Sequence, residues 1–267
     1  MVHLTLSAAP AQSESGVRYV LNITPTRNSA KKINTEHQEY DEKLQASLSR
    51  SRKMLLDLAV CNDWDYWCTF TFSPENVDRY DFRACRKYLT KFFNNYRNRV
   101  SPGFRYLIVP ERHEDKAIHF HGFLKCVTDL YIPETILKRQ DDTSLIEVPN
   151  TPQYLRWKSY DKIGIINLSP VRNHFAAANY MGKYITKDLV GGADFPKGSQ
   201  LILHSQGLRK PIILYNQDVL SAADWSFGFD FSELSSLSAQ RKEFEYCTSF
   251  YIESQSDIEK IEKFLNL

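Results

Sequence analysis

The sequence predicts an α+β fold: a central antiparallel sheet of about five strands with helices packed on it. Three observations carry this prediction. Tyr66-Trp67-Cys68-Thr69-Phe70-Thr71-Phe72 alternates aromatic and Thr residues and is closed by Ser73-Pro74, as a buried strand would be. Phe104 to His113 and Ala117 to Val127 are two strand-like stretches joined by Glu114-Asp115-Lys116, a link short enough for a hairpin. Amphipathic helical stretches follow the first strand and a later one, giving the order strand, helix, strand, strand, insertion, strand, helix.

Met1 to about Lys32 is rich in Ser, Ala, Thr and Asn and reads as an N-terminal extension, with one candidate strand at Val17 to Ile23. Thr35 to Val60 lacks Gly and Pro and spaces Leu44, Leu48, Leu55 and Leu58 for a long amphipathic helix. The first core strand comes next, within Trp64 to Phe72. Arg79 to Arg99 then sets Phe82, Cys85, Leu89, Phe92, Phe93 and Tyr96 at helical spacing, ended by Ser101-Pro102-Gly103. After the hairpin, Leu130 to Lys158 is irregular. Ile163 to Leu168 is a strand, Ser169-Pro170 marks a helix start, and Val171 to Leu189 is a helix stopped by Gly191-Gly192. Arg209 to Tyr215 is a further strand candidate, Phe244 to Ile252 is strand-like, and Ser256 to Leu265 is helix-like. The expected organisation is an extension and helix over 1–60, a core over 61–216 and an acidic appendage over 217–267.

Bulk properties narrow the function. The formal net charge is only +2, but Arg79 to Arg99 holds seven bases against Asp81, whereas Asp218 to Leu267 holds ten acids against four bases. Segregated charge suits a polyanion-binding protein, although a solvated helix face explains it as well. The five cysteines (Cys61, Cys68, Cys85, Cys126, Cys247) include no CxxC pair, which argues against a disulfide framework or zinc ribbon and for the cytoplasm. No apolar run approaches the roughly 20 residues of a membrane span, so no membrane partner is expected.

Two constellations carry chemistry. On a strand, residues two apart share a face, so His119 and His121 project together. A hairpin closed through Glu114 to Lys116 would set Glu111 opposite His119, with His113 two residues further on that face. Two imidazoles and a carboxylate suit Mg²⁺ or Mn²⁺ and leave positions for phosphate or water; a lone His-x-His is as readily a pair of strand histidines. Thr69 and Thr71 can line the same face, a placement β-propensity also explains. On the last core helix, advancing about 100° per residue, Lys183, Tyr184, Lys187 and Asn173 fall within about 60° of Tyr180, while His174, Ala178, Met181, Ile185 and Leu189 take the other half. Lysines beside a phenol favour phenolate and neutralise phosphate charge, as attack on a phosphodiester requires. Tyrosines snorkelling at a core edge would show the same spacing.

Tyr66 to Ser73, His119-Phe120-His121 and Tyr180 to Lys187, in this order, resemble the three motifs of the HUH endonucleases over about Cys61 to Leu189. Within that group the chain most resembles replication initiators of small single-stranded DNA phages such as microviruses, to which Leu58 to Tyr66 adds. The resemblance implies an HUH core of split βαβ type. It further implies a divalent ion, Mg²⁺ or Mn²⁺, held by His119, His121 and an upstream acid, for which Glu111 is the candidate. A tyrosine nucleophile would form a 5′-phosphotyrosine at a single-stranded or hairpin origin and initiate rolling-circle replication. Tyr180 with Lys183 and Tyr184 with Lys187 each satisfy the Tyr-x-x-Lys spacing, with Tyr180 the expected principal nucleophile and Tyr184 the alternate. Arg83, Arg86, Lys87 and Arg105 are candidate DNA contacts. No GxxxxGK[ST] loop is present, so helicase and polymerase would come from the bacterial host. Other readings stand beside this one: an HUH transposase or plasmid relaxase, a non-catalytic single-stranded nucleic-acid-binding module, and an iron oxygenase using Glu111, His119 and His121 as a facial triad.

Overall fold

A computed structural model of the chain describes residues 2–10, 17–25, 36–139, 145–150, 154–185, 200–219, 239–243, 248–252 and 254–265. The chain forms two compact units, one from 64–206 and one from 1–63 together with 207–267.

In the first unit the strands run β3 (Tyr66–Phe72), β4 (Arg105–Arg112), β5 (Ile118–Lys125), β10 (Gly164–Pro170) and β11 (Leu203–His204). They form a five-stranded antiparallel sheet in the order β10-β3-β5-β4-β11. The α+β class with an antiparallel five-stranded core is the one the sequence predicts. The fifth strand, β11, is two residues long and carries no alternation to announce it; it is extended by reciprocal bonds, Tyr106 N–H donating to Ser205 Oγ and Ser205 N–H to the Tyr106 carbonyl.

The sheet has two unlike faces. Phe70 and Phe120 point to one side and meet helix α2 (Phe82–Arg99) through Phe93 and Phe82, at ring distances of 5.5 and 6.3 Å. Trp157 and Tyr160 complete this aromatic layer, both fully buried. The alternate residues, Trp67, His121 and Phe123, point to the other side, where α3 (His174–Gly182) and the turn after it supply His174, Tyr180 and Tyr184. Period-2 alternation on β3 and β5 therefore divides hydrophobic core from candidate site.

Helix α2 starts three residues after Arg79 because Asp81 caps it, its carboxylate accepting from the backbone N–H of Arg83 and Ala84. Asp81→Ala should lower the stability of this unit by about 1 kcal/mol, read as a lower denaturant midpoint at unchanged slope; an unaltered midpoint would show that the cap contributes nothing.

The expected helix from Val171 to Leu189 is shorter where it is described. Pro170 closes β10, so the helix waits for Asn173, whose side chain accepts from Ala176 N–H at 2.8 Å. Asn173 is thus a cap, and its side chain serves the backbone. Beyond Gly182 the chain tightens into i→i−3 bonds, Lys183 to Tyr180, Tyr184 to Met181 and Ile185 to Gly182, consistent with glycine's poor helix propensity. The stretch read as irregular, 130–158, contains two small ribbons, β6 (Leu130–Tyr131) with β9 (Arg156–Trp157) and β7 (Thr135–Arg139) with β8 (Leu145–Pro149).

In the second unit β1 (Val2–Pro10), β2 (Val17–Pro25), β12 (Ile212–Val219), β13 (Ala239–Glu243) and β14 (Thr248–Ile252) form an antiparallel sheet ordered β12-β1-β2-β14-β13. Two strands, not one, come from the N-terminal extension, and they pair with strands from the C-terminal part. Helices α1 (Glu36–Val60) and α4 (Gln255–Leu265) complete this unit, and Tyr251 on β14 donates its hydroxyl to Asp57 on α1 at 3.3 Å. Among the described residues no helix is long and apolar enough to cross a membrane.

Candidate active site

The site is built on the β4–β5 hairpin. His113 N–H donates to the Ala117 carbonyl, Ala117 N–H to the Asp115 carboxylate, and Lys116 takes a positive φ of 67°, which closes the turn. The resulting pairing sets Glu111 opposite His119 and Val109 opposite His121. On its other side β5 pairs with β3, bringing Thr69 opposite His121. Gly122, next to His121, lets the strands approach this closely: a Cβ there would stand 2.1 Å from the Leu107 carbonyl oxygen.

Side chains converge on this face. Glu111 Oε2 lies 2.5 Å from His121 Nε2, and Thr69 Oγ1 lies 3.0 Å from His121 Nδ1, so both ring nitrogens are engaged. The His113 and His119 rings stack at 4.8 Å, and the His119 and His121 rings are 6.5 Å apart. Burial pushes the His119 imidazole down to about 4, with the His113 and His121 charges adding to it, so this ring is neutral at neutral pH and presents a lone pair. Burial raises the Glu111 carboxyl, but the hydrogen bond and charge of His121, then His119 and His113, outweigh it and hold the acid ionised below its usual range.

The tyrosines stand over the same face. Tyr184 stacks on His121 at 4.7 Å, and Tyr180 meets Tyr184 edge-on at 5.3 Å and Trp67 at 5.7 Å. Lys183 Nζ sits 5.2 Å from the Tyr180 ring centroid. The two phenols differ: Tyr180 is 48% exposed, whereas burial, a hydrogen bond to Tyr180 and the Glu111 charge push the Tyr184 hydroxyl well up. Tyr184 is thereby a proton-holding donor, and Tyr180 the phenol open to an incoming strand.

The donor set of Glu111, His119 and His121 has the chemistry of a divalent-cation site. Among the described residues, however, no group of three or more His, Cys, Asp and Glu side chains is arranged to hold a metal ion. Glu111 is turned onto His121 and hydrogen-bonded to it. The fit is one of residue types gathered on one face.

Of the residues singled out in the sequence, the structure gathers Glu111, His119, His121, Tyr180, Lys183 and Tyr184, with His113 beside them. Lys187 lies outside the described residues. Arg83, Arg86 and Lys87 belong to α2, which covers the opposite face of the sheet, and Arg86 donates to Gln200 at 2.8 Å. Arg105 lies at the far end of β4 from Glu111, its guanidinium donating to the carbonyls of Pro102 and Phe104. Trp67, in ring contact with His121 and Tyr180, went unnoticed in the sequence; its place in the Trp67, Thr69, Thr71 alternation was the available signal.

Residues 65–189 match the model of a family described as Replication-associated protein ORF2. The matched stretch begins just before β3 and contains Thr69, Glu111, both histidines and both tyrosines, and it is consistent with a rolling-circle replication initiator. No curated protein and no solved structure matches the chain.

Proposed function

We propose that the protein nicks and rejoins one DNA strand at a replication origin through a covalent 5′-phosphotyrosine, initiating rolling-circle replication. The observation that carries this reading is the stacking of Tyr184 on His121, with Tyr180 and Lys183 adjoining, over the face that gathers Glu111 and His119.

The residues have separable roles. Glu111, His119 and His121 would hold Mg²⁺ or Mn²⁺; when bound, such an ion neutralises and orients a non-bridging oxygen of the scissile phosphate. The Tyr180 oxygen attacks phosphorus, the bond from phosphorus to the 3′-oxygen breaks, and a tyrosyl-phosphate diester and a free 3′-hydroxyl result. The phenol loses one proton and the leaving 3′-oxygen gains one. Lys183, over the Tyr180 ring, favours the anionic phenol and the phosphate it meets. Because the phosphodiester energy is kept in the tyrosyl bond, a 3′-hydroxyl can later reverse the step without ATP. Tyr184, four residues on, is positioned to serve as the alternate nucleophile.

A helicase and a polymerase of the host would extend and unwind the strand. Single-stranded or extruded hairpin DNA is the expected substrate, since a backbone phosphate must reach a tyrosine beside a sheet face.

Incubating the full chain with Mn²⁺ and a labelled origin strand should give an adduct that survives denaturing electrophoresis, and chelation by EDTA should abolish it. His119→Ala/His121→Ala should lower adduct formation by roughly 10³-fold or more while weak strand binding persists. An adduct at the wild-type rate in that variant or in EDTA would remove the metal from the account.

A further inference from the structure

One polar atom on the site face has no use in the chemistry described above. Asn167, on β10, pairs directly with Thr69, and its Oδ1 is buried without a hydrogen-bond partner. Stranding a carboxamide oxygen in this way costs about 1–3 kcal/mol. Residues directly opposite on antiparallel strands have their Cβ atoms about 5 Å apart, close enough for a rotamer change to join a carboxamide to a threonine hydroxyl. Thr69 in turn holds His121 Nδ1 at 3.0 Å.

The direction of that last bond depends on what Nε2 is doing. Glu111 is ionised and has no hydrogen to give, so in its contact with His121 the imidazole Nε2–H is the donor. In a neutral ring Nδ1 then has only a lone pair, and the Thr69 hydroxyl donates to it. If Nε2 instead gives its lone pair to a cation, the ring's hydrogen must reside on Nδ1. The bond reverses: Nδ1–H donates to Thr69 Oγ1, and the Thr69 hydroxyl hydrogen needs a new acceptor. Asn167 Oδ1 is a buried acceptor without a partner on the residue facing Thr69.

We propose that Asn167 is a positioning residue whose carboxamide oxygen accepts the Thr69 hydroxyl when His121 presents Nε2 to a divalent cation, closing a His121–Thr69–Asn167 relay that fixes the ligating tautomer. The proposal rests on the reading of Glu111, His119 and His121 as the cation's ligands. It explains why an energetically costly polar group lies on β10: it is unsatisfied with Glu111 on His121 and satisfied when the cation is held. Partners of this kind behind a ligating histidine typically change metal affinity about 10–100-fold.

The test is Mn²⁺ binding by the full chain, measured calorimetrically without DNA, together with thermal unfolding without metal. Asn167→Leu should weaken Mn²⁺ binding about 10-fold while leaving the metal-free midpoint unchanged or higher, because an apolar group of similar size replaces a stranded acceptor. A residue that only supported the fold would shift the two the other way. Thr69→Val should weaken binding similarly, and Thr69→Ser, which keeps the hydroxyl, should restore it. In Zn²⁺-loaded wild type, imidazole ¹⁵N spectra should place the His121 hydrogen on Nδ1. Wild-type affinity in both Asn167→Leu and Thr69→Val, with binding lost in His121→Ala, would overturn the relay and leave the ligand assignment standing. Failure of the wild type to bind Mn²⁺ would overturn both. Should Asn167→Leu not fold, the Val and Ser variants of Thr69 decide the question.

Discussion

Tyr180→Phe is expected to lose the covalent DNA adduct, with a fall in nicking of roughly 10⁴-fold or more, as for removal of a nucleophile elsewhere. The substitution deletes only the oxygen. The ring that meets Trp67 at 5.7 Å and Tyr184 at 5.3 Å, and lies under Lys183, is kept, so folding and strand binding should change little. Tyr184→Phe removes a hydroxyl that burial and the neighbouring Tyr180 and Glu111 keep protonated. The first nick should survive that change within about 10-fold, the usual scale for losing one hydrogen bond. A two-tyrosine cycle would show its defect later, as failure of a second round or of rejoining. Undiminished adduct in the double Phe variant would remove both tyrosines from the chemistry.

Gly122→Ala is expected to have the largest effect on folding. The added Cβ would stand 2.1 Å from the Leu107 carbonyl oxygen and 2.7 Å from Ile108 Cα, and these are backbone atoms of the paired strand, which cannot swing aside as a side-chain tip can. Either β4 moves away from β5 or the hairpin loses its pairing; the cost should be about 3 kcal/mol or more, a fall of about 10 °C in the midpoint of a unit this size. The same movement separates Glu111 from His119 and His121, so metal-dependent nicking should fall even at temperatures where the variant is folded. A midpoint within about 1 °C of wild type would show that the strands do not approach as described.

The legible parts of the site were those set by short-range periodicity. His119 and His121 share a face because strands alternate, and Glu111 lands opposite His119 because a three-residue link leaves the hairpin little freedom of register. Tyr180, Lys183 and Tyr184 were found from helical spacing, yet they come together for another reason: Gly182 ends the helix, and a tighter turn carries Tyr184 onto His121. What pattern reading missed depends on distant pairing. Strands β1 and β2 are stabilised by partners that include β12 and β14, from the other end of the chain, and their polar composition gives little local sign of it. Asn167 read as one polar residue in an apolar strand; its meaning comes from facing Thr69 on β3. The basic residues of α2 show the converse failure. Their interleaving with aromatics suggested a strand-binding surface, but the aromatics pack on Phe70 and Phe120, leaving the helix on the face away from the histidines.

The central claim is that a tyrosine of this face forms a covalent bond to DNA at a 5′-phosphate. The direct measurement is protease digestion of the adduct formed with an origin strand and Mn²⁺, followed by mass spectrometry of the nucleotide-linked peptide. The account predicts a single linked peptide containing Tyr180, joined through phosphate to the 5′ end of the downstream strand, with a free 3′-hydroxyl on the upstream fragment. Linkage at a residue outside Tyr180 and Tyr184, or cleavage that leaves only unlinked ends, would contradict it.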